Sequence, residues 1–307
     1  MSEMVGKVIL NTDFYSGTDL YSDGDVEDEL LAIVKSFSIR DFPGIIIERK
    51  SWPILYHLSP IRENIVEWID ISPEATVLEV GAGCGAVTGA LAQKSKKVTC
   101  VELSKKRSTI NATRNREKDN IEIFVGNFQD IEDSLPKYDV ITLIGVLEYA
   151  KSYIRSKEPY MDFLKIIWKH LNPNGKLIVA IENKLGMKYW AGCREDHTGK
   201  YFDSLEGYPG DSHAITFSRS ELERLLTESG YQNTKFFYPY PDYKLPMTIY
   251  SDGRLPSKKE LRNNERNFDA ERFSIFDESK VFDSVIDAGL FREFSNSFLV
   301  ISQKGSI

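Results

Sequence analysis

Apolar residues in this chain fall into two rhythms, helical near the start and strand-like from about residue 75. Residues 1–24 are polar and rich in Gly and Asp. Residues 25–37 predict a helix whose apolar stripe is Leu30, Leu31, Ile33 and Val34. Residues 60–69 predict a second, burying Ile61, Ile65, Val66 and Trp68, with Pro60 in its first turn. Short apolar runs then alternate with amphipathic stretches. Strands are expected at 77–80, 97–102, 121–125, 138–144 and 176–181, and helices at 86–93, 105–116 and 160–170. Such alternation implies parallel strands, right-handed crossovers and helices on both faces.

The alternation stops at Glu182. Residues 183–215 are aromatic, charged and Gly-rich without a period, and long loops of this kind often carry function. A helix is expected at 218–229, with Ser218 as N-cap, Glu221 in capping-box position and Gly230 as the stop. Strands at 234–238 and 297–302, with a helix at 278–288 between them, complete the set as an edge hairpin. The expected fold is α/β: a Rossmann-like, seven-stranded, mostly parallel sheet with helices on both faces. Residues 1–70 would form a helical lid, and 71–304 the main domain with insertions at about 183–215 and 244–293.

The chemistry concentrates where the first strand ends. V-L-E-V-G-A-G-C-G-A-V-T runs from Val77 to Thr88 and places glycines at alternate positions, Gly81, Gly83 and Gly85. Glycine permits a sharp turn and close approach of a ligand to the backbone, and the helix that follows offers free N–H groups. The spacing is G-x-G-x-G with an acid, Glu79, before it, not the G-x-G-x-x-G dinucleotide fingerprint. Glu102, with Leu103 beside it, closes the second strand 17 positions after Gly85, where an acid can accept hydrogen bonds from ribose hydroxyls. Glu79 is expected at the methionyl amino group of the donor or in a bond to the loop. Asn127 is expected at an adenine amino group, with Phe128 covering the ring. Gly145 and Leu147 end the fourth strand, and Ala82 lies within the turn.

V-L-E-V-G-A-G-C-G followed by V-T-C-V-E-L-S resembles the class I S-adenosylmethionine-dependent methyltransferases over about 75–182. A narrower resemblance rests on L-Y-H-L-S-P-I-R-E-N, E-N-K-L-G-M-K-Y-W-A-G, E-D-H-T-G-K-Y-F-D and Y-P-Y-P-D-Y-K-L-P. These look like a bacterial group linked with glycosyltransferases and surface-polysaccharide assembly. The resemblance implies S-adenosylmethionine as cofactor and a saccharide or small hydroxylated metabolite as acceptor, O-methylated, with N-methylation as an alternative. An NAD-dependent oxidoreductase shares the turn and the strand-end acid, but the glycine spacing disfavours it. A non-catalytic S-adenosylmethionine-binding subunit is the third reading.

Methyl transfer from a sulfonium requires the protein to position the acceptor and take its proton. His197 is the leading candidate for general base, Asp196 for orienting its ring, and His213 the rival base. Arg62 is a candidate partner of the methionyl carboxylate, or a structural ion pair. Tyr189, Trp190, Tyr201 and Tyr208 offer faces for a sugar ring or a loop core. Glu182, Asp196, His197, Asp203 and His213 match no firm metal spacing, so no metal is assigned.

The remaining signals concern partners and compartment. The chain has 307 residues and a formal net charge of −7, which disfavours a broad nucleic-acid-binding face, so no nucleic-acid partner is expected. No apolar run approaches the roughly 20 residues of a membrane span, and the first residues lack a signal-peptide core. Cys84, Cys100 and Cys193 are odd in number and unpaired by spacing, as reduced thiols of a cytoplasmic protein are. Cys84 reads as packing.

Overall fold

The computed structural model describes residues 2–19, 22, 24–264 and 271–305. The expected segments 1–70 and 244–293 therefore each include residues outside the described ones. The chain divides into two compact units: Met1–Leu143 with Lys169–Leu177, and Ile144–Trp168 with Ile178–Ile307.

The first unit carries β1 (Ser2–Val5), β2 (Val8–Asn11), β3 (Thr76–Val80), β4 (Lys97–Glu102), β5 (Ile121–Val125), most of β6 (Tyr138–Ile144) and the start of β7 (Leu171–Glu182). Its strands lie in the order β1-β2-β5-β4-β3-β6-β7. β2 with β5, β5 with β4, β4 with β3 and β3 with β6 pair in parallel, and β1 with β2 is antiparallel. Parallel strands covered on both faces need apolar residues throughout. Accordingly Val77, Leu78, Val98, Cys100, Ile121 and Ile123 are almost fully buried.

Around the N-terminal helices, Leu30, Ile33, Val34, Phe42, Ile45, Ile54 and Leu58 pack with Cys84 of the glycine turn and Ile110. Cys84 is a packing residue there, and all three cysteines are buried and outside any disulfide among the described residues. The expected helix over 60–69 is instead a tight turn, Pro60–Glu63, followed by one helical turn, Asn64–Glu67. Trp68, expected inside, is 45% exposed, because the change of pitch turns its position outward.

The second unit carries the end of β7 with β8 (Tyr231–Tyr240), β9 (Thr248–Ser251) and β10 (Ser297–Lys304), in the order β7-β10-β8-β9. β10 with β8 and β8 with β9 are antiparallel. Tyr238, Phe236, Phe298, Phe291 and Phe282 form an edge-to-face aromatic core beside them. The capping box at Ser218 and Glu221 forms as expected, and the helix Arg219–Glu228 follows it.

Ten strands are present among the described residues where seven were expected. Two of the three extra strands are the hairpin β1–β2 in the polar N-terminal segment. Val8 and Leu10 are buried there at alternate positions, a period-2 signal only four residues long. The third, β9, pairs with β8 across a Pro-rich bend that hid it. Among the described residues no helix is long and apolar enough to cross a membrane.

Candidate active site

The glycine turn joins β3 to the helix Thr88–Lys94. Gly81, Gly83 and Gly85 all have positive φ, at 71°, 52° and 76°. The reasons for glycine differ along the turn. A Cβ on Gly85 would lie 2.3 Å from Asn111 Oδ1, so packing demands glycine there. A Cβ on Gly83 would meet nothing within 4 Å, so the turn faces open space at that residue.

Glu102 holds this turn. One carboxylate oxygen accepts the Gly83 N–H at 2.8 Å and the other accepts the Ser104 N–H at 3.0 Å. Burial raises its pKa, while these N–H donors and the Arg107 charge oppose the rise. Glu79 lies at the heart of the same unit, 3% exposed. It accepts a 2.6 Å hydrogen bond from the Thr88 hydroxyl, whose oxygen accepts in turn from Asn111 Nδ2. Burial pushes Glu79 up to about 7. The same oxygen accepts from Cys100 Sγ at 3.5 Å, so its observed bonds run to the helix start and to β4. Arg62 is buried, stacks over the Tyr56 ring at 4.2 Å and lowers the Glu79 pKa through its charge.

Asn127 accepts the Gln129 N–H at 3.1 Å, capping a short helix, and Phe128 is buried edge-on to His170. Leu103 follows Glu102 directly, and Ala82 is buried within the turn.

The second unit holds a different kind of site. Gly145, with φ 69°, and the buried Leu147 lead from β6 to Glu148. A Cβ on Gly145 would meet the Tyr243 hydroxyl at 2.9 Å. Glu148 and Glu182, the last residue of β7, are fully buried. Between them projects the His197 ring, its side chain 4% exposed. His197 Nε2 lies 3.7 Å from Glu148 Oε1 and 3.9 Å from Glu182 Oε2. Its Nδ1 lies 3.0 Å from Glu195 Oε1, and the Tyr149 ring packs edge-on against it. Glu195 also accepts the backbone N–H groups of His197 and Thr198 and the Tyr208 hydroxyl.

Two expectations for this region change. The carboxylate on the His197 ring is Glu195, two residues before it, not Asp196. Asp196 instead accepts from the Tyr189 hydroxyl at 2.5 Å and pairs with Lys188 and Lys244. Nor does the ring suit a general base. Burial works against its charge, but the surrounding Glu148, Glu195 and Glu182 outweigh burial and hold its pKa well above the ordinary value. Carboxylates around the ring favour its charged form, the opposite of what a free base needs. The rival His213 is exposed, near Tyr149.

Lys244 completes the cluster. Its ammonium lies 2.8 Å from Glu182 Oε1 and pairs with Asp196, while Lys188 bridges Asp196 and Asp242, each at 2.8 Å. Burial alone would lower the Lys244 pKa, but Asp196, Glu182 and Asp242 hold it well above its ordinary value. Among the described residues no hydrogen-bond partner meets the buried Glu148 Oε2 and Glu182 Oε2. Burial raises the Glu148 pKa. Glu148, Glu195 and Lys244 escaped the sequence reading. The only signals for them were an acid just past a strand and a second acid two residues before His197.

Known proteins bear on both units. The model of a family described as methyltransferase domain matches residues 56–235, more than half of the chain. Probable ribosomal RNA small subunit methyltransferase A of Methanosarcina mazei is 37% identical over 90 residues, 29% of this chain and 32% of that protein. Ribosomal RNA small subunit methyltransferase A of Syntrophus aciditrophicus is 26% identical over 121 residues, 39% of this chain and 41% of that protein. The chain thus spans about a third to two fifths of the length of these curated relatives. Among solved structures, a SAM-dependent methyltransferase from Archaeoglobus fulgidus is 12% identical with a TM-score of 0.48, covering 83% of this chain and 95% of that one.

The exclusion of nucleic acid drawn from net charge does not stand, since matching relatives are named for ribosomal RNA. A net charge sums the whole surface, whereas nucleic acid is bound by a local groove.

Proposed function

We propose an acceptor and a division of labour for this chain, which belongs to the methyltransferase-domain family and is an S-adenosylmethionine-dependent enzyme. The glycine turn binds the donor, and the Glu148–Glu182 cluster serves a hydroxyl of a saccharide or similar small polyhydroxylated molecule. The residues around the turn fit the donor. Gly83 opens on free space, and Glu102 is held by two backbone N–H groups with lone pairs left for ribose hydroxyls. Arg62 supplies the positive charge for the methionyl carboxylate, and Asn127 and Phe128 belong to the adenine side. Bound S-adenosylmethionine supplies an electrophilic methyl group on a sulfonium.

One observation carries the acceptor assignment: Glu148 and Glu182 each bury an oxygen that no hydrogen-bond donor among the described residues meets. A buried acceptor atom left without a donor is costly, so such atoms mark where a ligand's donors belong. A hydroxylated acceptor brings those donors. Glu148, with its pKa raised by burial, is suited to take the hydroxyl proton. His197 and Lys244 hold the two carboxylates in place. The segment 183–215, which supplies Glu195 and His197, is the acceptor-side insertion.

The test is transfer of labelled methyl from S-adenosylmethionine to three acceptor pools: nucleotide sugars and free saccharides, small amines, and ribosomal RNA. Label in a methyl ether of the first pool is expected. Label in RNA or amines, with none in the hydroxylated pool, overturns the acceptor assignment.

A further inference from the structure

We propose that Glu148, Glu182 and His197 form a binding site for one divalent metal ion, with Glu195 orienting the histidine. The three side chains each offer a ligand atom, and these atoms lie within 4.8 Å of one another. A cation with bonds of roughly 2.0–2.2 Å sets its ligands about 3–3.5 Å apart. The 3.7 Å and 3.9 Å separations from His197 Nε2 thus need to close by about half an ångström.

Three further observations point to a cation. Glu148 Oε2 and Glu182 Oε2 are fully buried and unmatched by a donor. Glu195 Oε1 sits on the Nδ1 side of the ring at 3.0 Å, and its own oxygens are fixed by the His197 and Thr198 N–H groups. A carboxylate so placed fixes the tautomer that presents Nε2 to a metal. Last is the charge balance. Among the described residues joined by these contacts, Glu148, Glu182, Glu195, Asp196 and Asp242 face only His197, Lys188 and Lys244. Two negative charges are left over even with the histidine protonated. With Nε2 bound to an ion the histidine is neutral and the excess is three, of which one divalent ion offsets two.

Two carboxylates and one imidazole suit a first-row ion such as manganese or zinc better than magnesium, which prefers all-oxygen surroundings. Binding of the ion needs no assumption about the acceptor. Its use, polarising an acceptor hydroxyl, rests on the reading above.

The probe is Mn2+ alone, in equilibrium dialysis against the full chain without acceptor. One ion per chain is expected. Glu182→Gln and Glu148→Gln should weaken binding at least tenfold, and Glu195→Gln by roughly 10–100-fold, the range for an outer-shell partner. Glu132→Gln, in the other unit, should leave it unchanged. Because a variant of the buried cluster can fail to fold, pulsed electron paramagnetic resonance of wild-type protein with Mn2+ supplies the second reading: a directly bound histidine nitrogen is expected. Absence of saturable Mn2+ binding, or bound Mn2+ without a nitrogen coupling, overturns the site. Failure of Mn2+ binding leaves the acceptor assignment standing, and that assignment fails or holds in the methyl-transfer experiment.

Discussion

Two strand-end glutamates, Glu102 and Glu182, show how differently the two units treat a buried acid. Glu102 is 6% exposed and receives N–H groups on both oxygens, one from Gly83 and one from Ser104. Glu182 is fully buried and faces Lys244 on one oxygen, while the other has no hydrogen-bond donor. The first carboxylate is a structural clamp with spare lone pairs. The second is half of a site that stays electrically incomplete. Backbone donors make a rigid, ready surface for a cofactor; unmatched carboxylates wait for a ligand that brings charge or donors of its own.

The comparison can be broken at several points, the largest effect coming first. Gly85→Val should prevent stable folding, because its Cβ would fall within 2.3 Å of Asn111 Oδ1 and its φ is positive. Circular dichroism and expression in soluble form check this. A stable, cooperatively unfolding Gly85→Val protein contradicts the tight side of the turn. Next, Glu148→Gln should reduce methyl transfer by roughly 10²–10⁴-fold, the span for losing an acid–base group. Steady-state turnover with the identified acceptor is the measure, and turnover within threefold of wild type removes Glu148 from the chemistry.

Stability against pH sharpens the contrast from the other side. Glu79 is raised from 4.5 to about 7 by burial. A carboxyl whose folded pKa lies above its unfolded value contributes most below the unfolded value. Its contribution is lost as pH climbs through the window from 4.5 to about 7 and stays lost above it. The shift corresponds to about 3 kcal/mol. In cofactor-free protein, Glu79→Gln should abolish this fall, so its stability relative to wild type rises across the window and levels off above it. Denaturant titrations of both proteins between pH 4.5 and pH 8 test this, and parallel curves refute it. The smallest effect is expected from Glu102→Ala. It removes two N–H acceptors and the proposed ribose contacts, and should weaken S-adenosylmethionine at least about tenfold, as charged hydrogen bonds of about 1.5–3 kcal/mol imply.

The same contrast explains what the sequence could reveal. The proposed donor side is local. Glu79, Gly81, Gly83 and Gly85 lie within seven residues, and Glu102 follows at the next strand end, so spacing alone locates them. Period and glycine chemistry likewise located β3 to β6. The hairpin β1–β2 and β9 were hidden because four-residue strands beside Gly and Pro leave almost no periodic signal. The carboxylate cluster is non-local: Glu148, Glu182, His197 and Lys244 come from four segments across about a hundred residues. No spacing rule connects them. His197 was visible as a chemical residue, but its charge state depends on Glu148, Glu182 and Glu195. Sequence proximity favoured Asp196, whereas side-chain direction chose Glu195, two residues before the ring.

The central claim is that donor binding belongs to the glycine turn and not to the buried carboxylates. Calorimetric titration of S-adenosylmethionine into wild type, Gly83→Leu and Glu148→Gln tests it without any knowledge of the acceptor. Leucine at residue 83 places a side chain in the open space beside the turn, at a strain cost of about 1–2 kcal/mol for its left-handed backbone. The account predicts a folded Gly83→Leu protein with no measurable affinity, and a Glu148→Gln protein within about twofold of wild type. Normal affinity in folded Gly83→Leu, or equal loss in both variants, would contradict it.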